Sequence, residues 1–171
     1  MIVNYSGQRV ALFIDVANLY HSAKNLYQAR VNFRELLKNV IKNRIVIRVL
    51  AYGIKTKSGE EKSFFKALKN LGIEMRLKNL QEYSSGFKKG DWDVGITVDA
   101  IKIAPSVDTI ILFSGDGDFL QLVEYLQQQG KRVEIVAFGK TCSQKLKNAA
   151  DEFFDIEKQP EKFLFLIKER K

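Results

Sequence analysis

Three aspartates at the ends of two apolar runs are the residues of this sequence with the most chemistry within reach. Ile110-Ile111-Leu112-Phe113 is continuously apolar, Ser114-Gly115 interrupts it, and Asp116 and Asp118 follow. Such a run reads as a strand buried on both faces, as in a parallel sheet. Phe119, Leu122, Val123 and Leu126 then recur at helical spacing, so the two carboxylates stand where a strand meets a helix. Open α/β sheets hold their ligands at that place. Val10-Ala11-Leu12-Phe13-Ile14 repeats the pattern, ends in Asp15, and leads into a helix bearing Leu19, Ala23 and Leu26. Plainer roles exist for each polar residue: Asp118 and Asn18 as helix N-caps, Asp116 as the closure of a turn.

In a parallel sheet the carboxyl ends of all strands share one edge, so Asp15, Asp116 and Asp118 meet there if their strands are close neighbours. Asp93, entering a helix behind a basic loop, can reach the same edge. Carboxylates gathered in this way repel one another and hold raised pKa values unless a cation neutralises them. Hard divalent ions with oxygen ligands, Mg²⁺ or Mn²⁺, suit them best. A glycine-rich phosphate cradle does not describe Ser114 to Asp118, because its carboxylates have the wrong sign, and no Walker lysine pattern occurs. No side chain is an obvious general base, so a bound metal has to activate the attacking water.

Composition points the same way. The 171 residues suffice for one compact domain, and 28 Lys and Arg against 20 Asp and Glu leave a formal charge of +8. That surplus favours polyanionic partners, nucleic acid first. One cysteine, Cys142, excludes an intrachain disulfide framework and fits the cytoplasm. One histidine, His21, placed on a solvated helix face, excludes His-rich zinc sites and two-imidazole mechanisms. Nothing resembles a signal peptide or a membrane span.

The elements that must position these residues alternate along the chain. A second helix carries Phe33, Leu36, Leu37, Val40 and Ile41, and a strand runs from Ile45 to Tyr52. A helix with Phe64, Phe65, Leu68 and Leu71 stops at Gly72, and the strand from Ile73 to Leu80 follows. The longest loop spans Tyr83 to Asp93, where Lys88 and Lys89, between Phe87 and Trp92, suit phosphate contact with base stacking by Trp92. Val94, Val98 and Ile101 mark the next helix, with Asp91 as its expected N-cap and Asp99 in its middle. Arg132 to Phe138 reads as a strand, Ser143 to Ala150 as a helix, Phe153 to Ile156 as a short strand, and Pro160 opens an amphipathic helix with Phe163, Leu166 and Ile167. The alternation predicts an α/β fold with a mostly parallel central sheet flanked by helices on both faces.

Four segments occur in the order seen in NYN domains: Phe13-Ile14-Asp15-Val16-Ala17-Asn18-Leu19, Lys89-Gly90-Asp91-Trp92-Asp93-Val94, Ser114-Gly115-Asp116-Gly117-Asp118-Phe119 and Ala150-Asp151-Glu152-Phe153. The chain thereby resembles the PIN-like nuclease superfamily, and its bacterial LabA-like branch most. The resemblance implies a PIN-like three-layer fold and a metal-dependent nuclease site, usually acting on RNA. It matches Asp15, Asn18, Asp93, Asp116 and Asp118, with Ser114 and Asp99 in support. Many members carry Lys-Gly-x-Asp, whereas here Asp91 and Trp92 both separate Gly90 from Asp93; Val94 and Asp99 keep the usual spacing after Asp93, which therefore takes the role.

The expectation is one domain over residues 1–171, with a core over about 9–156 and a helical extension over 157–171 that permits a homodimer. Its function is that of an Mg²⁺- or Mn²⁺-dependent endoribonuclease in which Asp15, Asp93, Asp116 and Asp118 hold the metal, with RNA as partner and DNA not excluded. The alternatives are a nucleic-acid-binding regulator with a vestigial site and, behind it, another metal-dependent phosphohydrolase.

Overall fold

The structure, a computed structural model, describes residues 5–86 and 88–167. Phe87 and the side chain of Lys88, both singled out above, lie outside what is described. In chain order the elements are β1 (Arg9–Asp15), α1 (Val16–Tyr27), β2 (Ala29–Val31), α2 (Phe33–Ile41), β3 (Ile45–Lys55), α3 (Lys62–Asn70), β4 (Glu74–Asn79), β5 (Gln81–Glu82), β6 (Lys88–Lys89) and α4 (Asp93–Ile103). They continue with β7 (Thr109–Phe113), α5 (Leu120–Gln128), β8 (Arg132–Ala137), α6 (Gln144–Ala149), β9 (Glu152–Asp155), α7 (Pro160–Phe163) and β10 (Leu164–Leu166).

Six strands form one sheet in the order β4-β3-β1-β7-β8-β9, every neighbouring pair parallel. Val10 to Ile14 are fully buried because alternate residues of a strand face opposite sides and both sides are covered. Val10, Leu12 and Ile14 pack with α1, α2 and α3, while Ala11 and Phe13 pack with α4, α5 and α6. This is the expected layering of helix, sheet and helix. The strand order turns back between β1 and β7, which opens a crevice at their carboxyl ends. Ile14 pairs with Phe113, so Asp15 and Ser114 leave the sheet at one level.

Local details depart from the sequence reading in four places. Helix α4 exists, but Ile96, Ala100 and Ile103 are its buried side, and Val94, Val98 and Ile101 face outward, Val94 at 75% exposure. Its N-cap is Trp92 without a side-chain bond, so Asp91 is exposed and does not cap. The chain beyond Pro160 is not one amphipathic helix: a single turn ends at Phe163, and β10 then pairs antiparallel with β2, a strand the sequence reading missed. The long loop contains a two-residue ladder between β5 and β6. Gly72 stops α3 as expected, with φ at +84° and its N–H donating to Lys69 O at 2.9 Å. Among the described residues no helix is long and apolar enough to cross a membrane.

Candidate metal centre at the carboxyl edge

The site begins with Asp15, the last residue of β1. Its Oδ1 accepts the Asn18 N–H at 3.2 Å, which makes Asp15 the N-cap of α1. Asn18 is therefore not the cap. It sits inside the first turn, and its Oδ1 accepts the Gly115 N–H at 3.0 Å. The other Asp15 oxygen accepts the hydroxyl of fully buried Ser114 at 3.0 Å, and Ser114 Oγ in turn accepts the Asp116 N–H at 3.3 Å. Two chains of hydrogen bonds thus run from β1 and α1 into the loop after β7.

The capping role in that loop falls to Asp116, not Asp118. Asp116 Oδ1 accepts the Asp118 N–H at 2.9 Å and opens a 3₁₀ turn over Gly117–Phe119 that runs into α5. Gly115 leaves room for the loop before α6: a Cβ there would lie 2.9 Å from Cys142 Cα, and Gly115 O accepts the Ser143 N–H at 2.9 Å. Burial pushes the Cys142 thiol up to about 11, which disfavours the thiolate that nucleophilic chemistry needs.

Asp93 arrives from the first turn of α4. One carboxylate oxygen each from Asp93, Asp116 and Asp118 lies within 4.8 Å of the others, with Asp118 exposed and the other two partly covered. Burial first, and then the charges of Asp116, Asp15, Asp91 and Asp118, push the Asp93 carboxyl up to about 6. Burial also raises Asp15, against the Asn18 amide and the Ser114 hydroxyl that favour its charged form. Three oxygen donors gathered on one spot at an electrostatic cost are the donor set that a hard divalent cation fits. Asp15 stands beside this trio and outside it, its two oxygens engaged by Asn18 and Ser114.

The remaining expected residues are spread around the trio. Trp92 donates its indole N–H to Gly53 O at 3.0 Å and lays its ring against Tyr52 at 5.3 Å, fastening the start of α4 to β3. Lys78 Nζ stands 4.5 Å from the Trp92 ring centroid. Lys89 lies in β6 and is exposed. Asp99 does not join the carboxylate trio; it accepts the Tyr52 hydroxyl at 2.8 Å, with Arg76 Nε at 3.7 Å. Tyr52 itself was missed. It pairs with Asp15 in the sheet, and a tyrosine within the apolar run Leu50-Ala51-Tyr52 was the available signal.

The sequence model of the NYN domain matches residues 9–157. The chain belongs to the NYN domain family. It is 32% identical over 163 residues to the low amplitude and bright protein LabA of Synechococcus elongatus, covering 89% of this chain and 86% of that protein. An uncharacterised protein of Methanocaldococcus jannaschii is 26% identical over 148 residues; the match takes in 84% of this chain and 53% of the archaeal protein's length. A crystal structure of a protein of unknown function from Vibrio parahaemolyticus superposes with a TM-score of 0.85 at 35% identity, covering 96% of this chain and all of that one. NYN domains belong to the PIN-like nucleases, and that membership together with the three-aspartate group supports a nuclease-type function on nucleic acid.

Proposed function

We propose that this NYN protein is an endoribonuclease that depends on Mg²⁺ or Mn²⁺. The observation that carries the reading is the convergence of Asp93, from α4, with Asp116 and Asp118, from the loop after β7, to within 4.8 Å. Asp93, Asp116 and Asp118 would hold the cation. When bound, a divalent ion supplies Lewis acidity, which lowers the pKa of a water and offsets charge on a phosphodiester.

The chain's own residues do the positioning. Asp15 and Ser114 fix the backbone of Asp116, and Asn18 fixes Gly115, so the loop carrying two of the three ligands cannot drift from α1. Asp99 acts from further back, through Tyr52, on the strand beside Asp15. Lys89, exposed in β6, and Trp92, the residue before Asp93, would meet the phosphate backbone and a base, and the net charge of +8 draws a polyanion toward the protein.

The test is incubation of the purified protein with labelled single-stranded RNA in Mn²⁺, Mg²⁺ or EDTA, beside Asp116→Asn. Internal cleavage that needs the metal and disappears in the variant is expected. RNA that is bound but stays whole under every metal would replace the reading with that of a binding regulator, and undiminished cleavage by Asp116→Asn would remove the trio from the mechanism.

A further inference from the structure

The carboxyl edge of the sheet continues from β1 onto the outer strands β3 and β4. Asp15, which ends β1, pairs with Tyr52 of β3, and Tyr52 pairs with Arg76 of β4. Lys78 pairs with Ile54 and so stands two residues beyond the level at which β1 stops. Two strand spacings, roughly 9–10 Å, separate β4 from β1. Alternate residues of a strand share a face, and the contacts of Arg76 and Lys78 show which face it is. Arg76 Nε lies 3.7 Å from Asp99 of α4, and Lys78 Nζ stands 4.5 Å from the ring centroid of Trp92, the N-cap of α4. Lys78 therefore lies at the edge and on the face where α4 begins, and the residue it touches is the chain neighbour of Asp93.

Other basic residues of this region are already neutralised. Arg48 holds Glu74 at 2.7 Å, Arg76 lies between Glu74 and Asp99, and Lys57 reaches Glu82 at 2.8 Å. Lys78 differs. Among the described residues it has no carboxylate partner, and an aromatic ring holds it instead. That ring is itself fixed, by its indole N–H on Gly53 O at 3.0 Å and by the Tyr52 ring at 5.3 Å. A cation–π contact orients an ammonium without cancelling its charge. Lys78 thus offers a full positive charge, held in place, on the side of the edge from which Asp93 arrives.

We propose that Lys78 binds a backbone phosphate of the RNA strand, near the phosphate that faces the aspartate trio, so that the strand leaves the site across β3 and β4. The proposal rests on the reading of the trio as a site that meets RNA. A lysine ammonium is a compact point charge with three donors, which suits it to phosphate oxygens. Its seat on Trp92 leaves little ordering to be done when the strand arrives. A contact of this kind positions the strand and reads no sequence.

The experiment measures anisotropy of a short labelled oligouridine in EDTA over a series of salt concentrations. It compares the wild type with Lys78→Ala, Lys78→Arg and Lys69→Ala, the last removing an exposed charge from α3 on the opposite face. Each phosphate neutralised on a single strand contributes about 0.7 to the slope of log affinity against log salt. Lys78→Ala should therefore flatten the slope by about 0.7 and weaken binding at 0.1 M salt by roughly 5-fold. Lys78→Arg, which keeps the charge, should bind like the wild type, and Lys69→Ala should leave the slope unchanged. Circular dichroism verifies that all three variants stay folded. An unchanged slope in Lys78→Ala, an equal change in Lys69→Ala, or a Lys78→Arg as weak as Lys78→Ala would each overturn the proposal, even where metal-dependent cleavage is intact. No binding by the wild type would overturn it together with the RNA reading. Lys78-dependent binding by a protein that cleaves under no metal would overturn the nuclease reading and leave this one standing.

Discussion

Asn18 and Gly115 are 97 residues apart in the chain, yet Asn18 Oδ1 accepts the Gly115 N–H at 3.0 Å. This bond joins the first turn of α1 to the loop that carries Asp116 and Asp118. Beside it, the Ser114 hydroxyl reaches back to Asp15, so both strand ends are locked together before any ligand arrives. The rigidity matters because three carboxylates at close range repel, and a loose loop would let them separate.

Removing that acceptor should loosen the loop. Asn18→Ala leaves a partly buried N–H without its partner, at a cost of about 1–3 kcal/mol. Metal-dependent cleavage should fall by roughly 10- to 100-fold, as when the support of a metal ligand is lost. Urea denaturation and a cleavage assay measure both. Unchanged cleavage would mean that Ser114 and Asp15 hold the loop unaided.

The raised Asp93 carboxyl makes stability depend on pH and on metal in opposite ways. Its folded pKa of about 6 lies above the ordinary 3.8, so the folded chain binds more protons than the unfolded chain between those values. The stability contributed by this group is complete below 3.8 and is lost as pH rises through about 6. A divalent cation needs the deprotonated form and counteracts the loss. Mn²⁺ should therefore raise the thermal midpoint more at pH 7 than at pH 5, and the difference should shrink in Asp93→Asn. An equal rise at both pH values would place the cation elsewhere.

A side chain at position 115 has no space. In Gly115→Ala the new Cβ would stand 2.9 Å from the Cys142 backbone, and either the loop of Asp116 and Asp118 or the loop before α6 must move. Overpacking of this kind costs about 1–3 kcal/mol, and the displaced Asp116 should reduce cleavage further than stability alone explains. Gly130→Ala is the comparison, a positive-φ position with open space around it. It should lose stability with no specific effect on cleavage at saturating metal.

The C-terminal turn belongs to the core. Phe163 is 2% exposed and sits edge-on to Phe154 at 5.5 Å, and β10 then closes on β2. Phe163→Ala should cost about 3–5 kcal/mol in guanidinium denaturation. A loss below 1 kcal/mol would show the segment to be an appendage.

Much of this architecture was legible in local patterns. The apolar runs ending in Asp15 and Ser114, each followed by helical spacing, announced two buried strands with acidic ends, because burial on both faces leaves an unbroken apolar stretch. That is enough for a parallel sheet and for placing Asp15, Asp116 and Asp118 on one edge. Gly72 was readable as a helix stop because the left-handed backbone there suits a residue without a Cβ.

What the sequence determined by itself, then, was the order of the main-sheet strands and their helices and the chemistry gathered at one edge, since both follow from neighbours in the chain, whereas the short ladders of β2 with β10 and of β5 with β6 do not. Tertiary structure decided the rest. Val94, Val98 and Ile101 and the buried Ile96, Ala100 and Ile103 have the same helical spacing, so only the sheet beneath α4 could choose between them. Asn18 looked like a cap because its true partner, Gly115, is distant in sequence. The joining of Asp93 to Asp116 and Asp118, with Asp15 held to one side, likewise depends on how α4 crosses the sheet, a contact that no local pattern encodes.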